Sequence, residues 1–280
     1  MATLTMSPQQ VRRRTMLIPR EHGAWGMLLV PLATGAIVAS RTRVHGGSLV
    51  LFVVATLALF WLRTPVEAWL GLSPIKAQTK EERTSVLWVI VLLCAIVLAS
   101  LGALFASGYA RGLIIIGIVA AVALGAQEIV KKLGRSGRMP AQIIGVIGLT
   151  STAAGAYYVA SGKLDKTALA LWAVNWLFAA DQIHFVQTRI RGARLNASRE
   201  KFARGSWLVA AQLALIALLA GASAYRIIPV WTLIAFFPAL ARGFAWFLRP
   251  TQPLDVHQLG FSELRQAIVF GVLLSVAFLM

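Results

Sequence analysis

The stretch "VLWVIVLLCAIVLASLGALFA", residues 86–106, decides the fold class of this chain. It holds 21 residues and no charged side chain. An α-helix needs about 20 apolar residues to cross roughly 30 Å of hydrocarbon. Comparable apolar runs recur along the chain between short basic loops, whereas a membrane β-barrel would show alternating segments of about 10 residues. The sequence therefore predicts an all-α, polytopic membrane helix bundle.

Composition supports the same class. Of the 280 residues, 58% are hydrophobic and only 13% are charged, against about 25% charged in soluble domains. The single cysteine, Cys94, excludes an intramolecular disulfide. We expect one integral membrane domain over 1–280, with a basic cytoplasmic tail at 1–18 and the helix bundle at 19–280. The first apolar stretch is interpreted as an uncleaved helix because further spans follow it directly.

Nine segments read as transmembrane helices. Their predicted limits are 23–40, 48–62, 86–106, 112–130, 141–160, 167–187, 206–224, 226–248 and 264–280. The seventh and eighth form a tight hairpin joined by Tyr225 and Arg226, and Pro238 should kink the eighth.

The distribution of Lys and Arg predicts the orientation. With nine spans, 21 of the 27 basic residues fall on the side of the N-terminus and 6 on the other. Positive residues favour the cytoplasmic side, so we expect a cytoplasmic N-terminus and an external C-terminus in a bacterial inner membrane. The basic face should attract anionic lipids. Nucleic-acid binding is not expected, because no soluble domain remains to carry it.

The sixth predicted helix carries a polar stripe. At 100° per residue, Asp181, His184, Thr188 and Arg191 fall within about 80° of one another. Asp181 lies inside a predicted span, where an ionisable group is costly. It should therefore have a partner, either His184 or a basic residue on another helix.

Further polar residues lie at the cytoplasmic ends of other helices. The stretch "IPREHGAWGMLLVPL", residues 18–32, places Glu21 and His22 at the start of the first helix, and we expect His22 to face the stripe of the sixth. Arg63 and Glu67 are spaced for an i,i+4 pair, in a loop where Pro65 could start a new helix. That loop would be an interfacial amphipathic helix or an anion-binding lid.

Two other charged positions have a local interpretation. Glu128 and Lys132 are spaced for an i,i+4 ion pair at the end of the fourth helix. Glu263 opens the ninth helix, where an acid suits the helix dipole.

The motifs "PREHGAW", "RTP…AWLG", "K…KEER" and "LRP…LG…E" resemble the YwiC-like family of bacterial membrane proteins, over nearly the whole chain. The layout is also similar to that of UbiA-type prenyltransferases, which have nine membrane helices and Asp-rich motifs after helices two and six. In that family the carboxylates hold Mg²⁺, which binds the diphosphate of an isoprenoid substrate.

Only part of the Asp-rich motif pattern of UbiA-type prenyltransferases is present in this chain. Where the first Asp-rich motif would lie, this chain has Arg63, Glu67 and Gly71; in the second, Asp181 is followed by Phe185 and Arg189. The resemblance implies Mg²⁺ as cofactor, with Glu67 and Asp181 as the candidate metal ligands.

An isoprenoid diphosphate or other anionic lipid would then bind in a cytoplasm-facing cavity, with an atypical prenyltransferase as the activity. The candidate catalytic residues are His22, Glu67, Asp181 and His184. The candidate anion-binding residues, which could grip phosphate directly, are Arg20, Arg63, Lys76, Arg189 and Arg191.

Two other functions remain open from the sequence. A small-molecule transporter or channel would explain the polar sixth helix and the prolines of the eighth, although no inverted repeat is evident. A non-enzymatic membrane assembly factor would need none of these residues to bind a ligand.

Overall fold

The computed structural model describes residue 17 and residues 22–42, 45–72, 76–134, 137–192, 198–248 and 255–280. This part of the chain is built from α-helices. They are α1 His22–Ala39, α2 Gly46–Trp69, α3 Lys80–Leu104, α4 Ala110–Lys131, α5 Arg138–Thr150, α6 Thr152–Ser161, α7 Lys166–Gly192, α8 Ser198–Ala224, α9 Thr232–Leu248 and α10 Val256–Leu279. They form two compact units, one around residues 46–110 and the other comprising 22–45 and 111–280.

The first unit is a helical hairpin of α2 and α3. Ala58 of α2 is buried against Leu93 and Val97 of α3. The start of α3 has a capping box, in which the Thr79 hydroxyl accepts a hydrogen bond from the backbone N–H of Glu82 and the Glu82 carboxylate accepts one from that of Thr79. This cap satisfies donors that the first helical turn would leave unpaired.

A short π-helical turn, Phe105–Tyr109, separates α3 from α4. Gly108 adopts a φ of 91° there, a left-handed conformation that favours glycine. The apolar run over residues 80–131 is therefore two helices rather than one.

The second unit is organised around α6, all of whose residues are buried. It packs closely against α1: a Cβ added to Gly35 would collide with the backbone of Ala153, and the Thr152 hydroxyl donates to the Leu28 carbonyl oxygen at 3.2 Å. Small residues at such contacts let helix backbones approach, as is common in membrane bundles.

The other face of α1 packs against α10. Gly26 lies against Leu264, and Gly271 lies against Val30. Between α7, α9 and α10 the core is aromatic, with the Phe178 and Phe270 rings stacked at 3.8 Å and Phe236 edge-on to both. These contacts fix α7, α9 and α10 against one another.

Each of the nine predicted spans corresponds to a helical segment in the described part, the fifth being interrupted at Ser151 between α5 and α6. Six stretches of the described residues are long and apolar enough to cross a membrane. One of them contains both α3 and α4, while residues 23–39 of α1 and helix α9 are apolar but shorter. The chain is therefore a multi-pass α-helical membrane protein.

Several predicted boundaries were wrong. Pro65 lies inside a continuous α2 rather than at the start of a new helix, so no separate amphipathic helix begins there. The eighth predicted span begins only at Thr232, because Pro229 lies in the connection before α9. Glu128 pairs with Lys131 at 2.5 Å, one residue earlier than the predicted Lys132.

Candidate functional site

Helix α7 carries Asp181 into the interior of the second unit. Its orientation is fixed by α5, whose Ile143 and Ile147 carbonyl oxygens accept hydrogen bonds from the indole N–H groups of Trp176 and Trp172. Asp181 is 8% exposed, whereas Arg191, near the end of the same helix, is exposed. The polar stripe predicted for this helix thus runs from the buried core to the surface.

The hydrogen-bond partner of Asp181 is an amide on a neighbouring helix. Gln212 of α8, which is fully buried, donates from Nε2 to Asp181 Oδ1 at 3.4 Å. A Cβ added to Gly243 of α9 would collide with the Gln212 amide. The glycine therefore gives that amide the space it occupies beside α9.

One residue before Gly243, Arg242 forms a largely buried ion pair with Glu263 of α10 through its Nη1 and the Oε1 of the carboxylate. The guanidinium carbon lies 4.0 Å from the centre of the Phe185 ring, a cation–π contact that holds the planar group in place. Four helices, α7 to α10, thus each contribute a polar side chain to one cluster.

We call Asp181, Gln212, Arg242 and Glu263 the buried polar cluster. The charges of Arg242 and Glu263 both act on Asp181, which places the ion pair and the amide–carboxylate pair in one group. Ionisable residues within membrane bundles are costly and commonly mark substrate or ion pathways. The cluster is therefore the strongest candidate functional site in the described part of the chain.

The other predicted residues of α7 lie towards its C-terminal end. His184 is half-buried, one helical turn beyond Asp181 on the same helix. Arg189 interacts electrostatically with both Arg242 and Glu263. Arg189 thus connects the surface end of α7 with the buried polar cluster.

Arg63, Glu67 and Lys76 are the predicted residues that belong to the first unit. Arg63 donates from Nε to Glu67 Oε1 at 2.8 Å, as the i,i+4 spacing predicted, and both side chains are well exposed. Lys76 is exposed too. The position of Arg20 and the side chain of His22 lie outside the described residues, so the orientation expected for His22 stays a prediction.

The Mg²⁺ site that the UbiA resemblance implies, with Glu67 and Asp181 as its ligands, stays a prediction. Among the described residues, no group of three His, Cys, Asp or Glu side chains could hold a metal ion. Asp181 has one oxygen bound by the Gln212 amide, and Glu263 is engaged by Arg242. A carboxylate that accepts from Arg is poorly placed to bind a cation as well, because the guanidinium already neutralises it.

Sequence reasoning missed three members of the cluster. Glu263 was interpreted only as an acid that suits the helix dipole, and Arg242 and Gln212 were not singled out. The available signal was the opposite charge of Arg242, inside the eighth predicted span, and Glu263, at the start of the ninth, because a charged residue at membrane depth requires a partner.

At the opposite end of the second unit a cleft of about 520 Å³ opens between the start of α7 and the ends of α8 and α10. Lys166, Arg226 and Phe278 are among its lining residues. This cleft contains none of the predicted site residues, and the cavity expected around Asp181 and His184 stays a prediction.

The helices and the buried charges define a multi-pass membrane protein with a polar core. The model of the YwiC-like protein family matches residues 18–157, half of the chain. The chain belongs to the YwiC-like family. No curated protein and no solved structure matches the chain. The family match ends before α7, so the whole buried polar cluster lies outside it.

Proposed function

We propose that this protein binds a lipid with an anionic head group, an isoprenoid diphosphate or another anionic lipid, at the basic end of its second unit. The basic end is the set of cationic side chains where α4 and α7 finish and α5 begins: Lys131, Lys132, Arg138, Arg189 and Arg191. The proposal places this end in the cytoplasm, with the protein in a bacterial inner membrane.

The antiparallel packing of α5 and α7 supports a shared basic end. The indole of Trp172 contacts Ile147 and that of Trp176 contacts Ile143, so the end of α7 lies beside the start of α5. Gln187 of α7 donates to Gln142 at 3.0 Å close to this end. Arg138 and Arg191 therefore lie at the same end of the second unit.

The observation that carries the proposal is the gathering of basic side chains at one end of the unit. Arg189 and Arg191 lie at the end of α7, beside the start of α5 where Arg138 lies. A head group bound by Arg189 would have its phosphate oxygens held bidentately and its chains alongside apolar helices, while Arg191 adds positive charge at the same end. Each charge-assisted hydrogen bond contributes about 1.5–3 kcal/mol.

The test is lipid binding by the purified protein. Anionic phosphatidylglycerol, zwitterionic phosphatidylethanolamine and farnesyl diphosphate are added in turn, and bound lipid is counted by native mass spectrometry. We expect phosphatidylglycerol or farnesyl diphosphate to bind in preference to phosphatidylethanolamine. We also expect the double variant Arg189→Gln/Arg191→Gln to weaken that binding by about tenfold or more, equivalent to about 1.4 kcal/mol.

The matched control is Arg111→Gln/Lys163→Gln, which removes the same charge from exposed residues at the opposite end of the unit. Equal weakening by both double variants would show that any positive charge on the protein attracts the lipid, which would contradict a site at the basic end.

Prenyltransferase activity is tested by a separate assay, in which the release of diphosphate from farnesyl diphosphate is measured with and without added Mg²⁺. If no diphosphate is released, the protein lacks prenyltransferase activity and the proposal is limited to lipid binding.

Transport of a small polar solute is the second candidate function, favoured by the buried polar cluster between α7 and α10. Such clusters inside membrane bundles are typical of substrate and ion pathways. Uptake into liposomes that contain the protein would test it: variants of Asp181 or Arg242 should abolish uptake, whereas Arg189→Gln/Arg191→Gln should leave it unchanged.

A further inference from the structure

Several buried hydrogen-bonding atoms of the buried polar cluster have no partner among its own members. No described residue hydrogen-bonds Asp181 Oδ2, Gln212 Oε1 or Glu263 Oε2, and the same holds for Arg242 Nε and Nη2. Leaving one such buried atom unpaired costs about 1–3 kcal/mol. Five atoms in one cluster therefore indicate a polar occupant. We infer that the cluster is an internal binding site for a small uncharged polar guest, water or a small polar solute.

The donor or acceptor character of the five atoms specifies which hydrogen-bonding groups the guest must carry. Three are acceptors, on two carboxylates and one amide, and two are guanidinium donors. A guest that only donates or only accepts would leave one of these sets unpaired. Hydroxyl, amide and water groups can do both. Since a buried water makes about three hydrogen bonds, about two water molecules would satisfy the cluster.

The charges around the site favour a neutral guest over an ion. Asp181 and Glu263 supply two negative charges, and Arg242 and Arg189 supply two positive ones that interact with them. The formal sum is zero, so neither a cation nor an anion gains a net attraction. This separates the internal site from the anionic head group proposed at the basic end.

The walls of the site hold these atoms in fixed positions. Phe185 supports the Arg242 guanidinium from one face, and Gln212 lies against the glycine backbone at Gly243. Side chains that are already ordered lose little entropy when a guest binds, which favours binding.

Radiolytic footprinting tests this inference, because hydroxyl radicals formed from bound water oxidise the side chains beside it. Phe185 touches the cluster and is only 2% exposed, while Phe270, 1% exposed, lies in an aromatic stack with Phe178. If the cluster is hydrated, Phe185 should be oxidised several-fold faster than Phe270 in the wild-type protein. Equal oxidation of the two rings, with no small molecule released on denaturation, would overturn the inference.

The two possible sources of the guest are distinguished by exchange into solute-free buffer. Rapid oxidation of Phe185 that does not change on exchange assigns water. Oxidation that rises on exchange, with a small polar molecule detected by mass spectrometry after denaturation, assigns a solute.

A variant series locates the guest. Gln212→Leu, which removes one lining amide, should slow the oxidation of Phe185. The matched control is Gln187→Leu, which removes the amide paired with Gln142 on α5 and should leave Phe185 unchanged. The comparison of Phe185 with Phe270 needs no variant, so it decides the question even if Gln212→Leu does not fold.

Discussion

Arg242 of α9 and Glu263 of α10 are joined by a buried ion pair that ties the last two helices together. Removing one partner of such a pair leaves an uncompensated charge in the interior, which costs about 3–5 kcal/mol. We therefore expect Glu263→Leu to lower the free energy of unfolding by that amount, measured by fluorescence during denaturation in detergent.

The matched control is the double variant Arg242→Met/Glu263→Leu. Replacing both charges by apolar groups of similar size is often neutral or stabilising, so the double variant should be more stable than Glu263→Leu alone. A double variant as unstable as the single would show that the two residues do not act as a pair.

The contact between α1 and α6 predicts a strong effect at a single glycine. Gly35→Ala would push a methyl group into the backbone of Ala153, and overpacking of this kind costs about 1–3 kcal/mol. Gly117→Ala serves as the control, because a Cβ there meets no atom within 4 Å. Alanine is the better helix former by about 1 kcal/mol, so the control should unfold at the same or a higher temperature.

The capping box of α3 predicts a local effect in the first unit. Thr79→Ala removes the hydroxyl that accepts from Glu82 and should cost about 1 kcal/mol. The change should appear as faster amide hydrogen exchange in the first turn of α3. Thr84→Ala, whose hydroxyl bonds only the Lys80 carbonyl oxygen within the helix, should leave that exchange unaltered.

The orientation in the membrane is testable with single cysteines. In a Cys94→Ser background, Ser107→Cys, in the turn between α3 and α4, should react with an impermeant maleimide on intact cells. Lys132→Cys, after α4, should react only once the membrane is permeabilised. The reverse pattern would contradict the orientation expected from the 21 to 6 distribution of basic residues.

Much of the helical framework was predictable from the sequence. Apolar runs of membrane-spanning length identify helices whatever their neighbours are, and all nine predicted segments correspond to helices in the described part. The boundaries were less predictable, since Pro65 suggested a helix start but is accommodated inside α2. The signature Thr79–Glu82 before an apolar run would have placed the start of α3 correctly.

Of the candidate site, only Asp181 was predicted from the sequence. It was recognised because a carboxylate inside a membrane span requires a partner that stabilises it. Its actual surroundings depend on which faces of α8, α9 and α10 meet α7, and helical periodicity within one segment carries no information about that. Gln212 is uncharged and lies among apolar residues, so only tertiary packing identifies it as the partner of Asp181.

The packing of α1 has a consequence for biogenesis. Its closest partners are α6 and α10, and Arg41 just after it donates to the Phe278 carbonyl oxygen, 237 residues later. During synthesis α1 can therefore meet α6 well before it meets α10. Its packing is complete only when the last helix of the second unit has been made, which couples the two ends of that unit in the final stage of assembly.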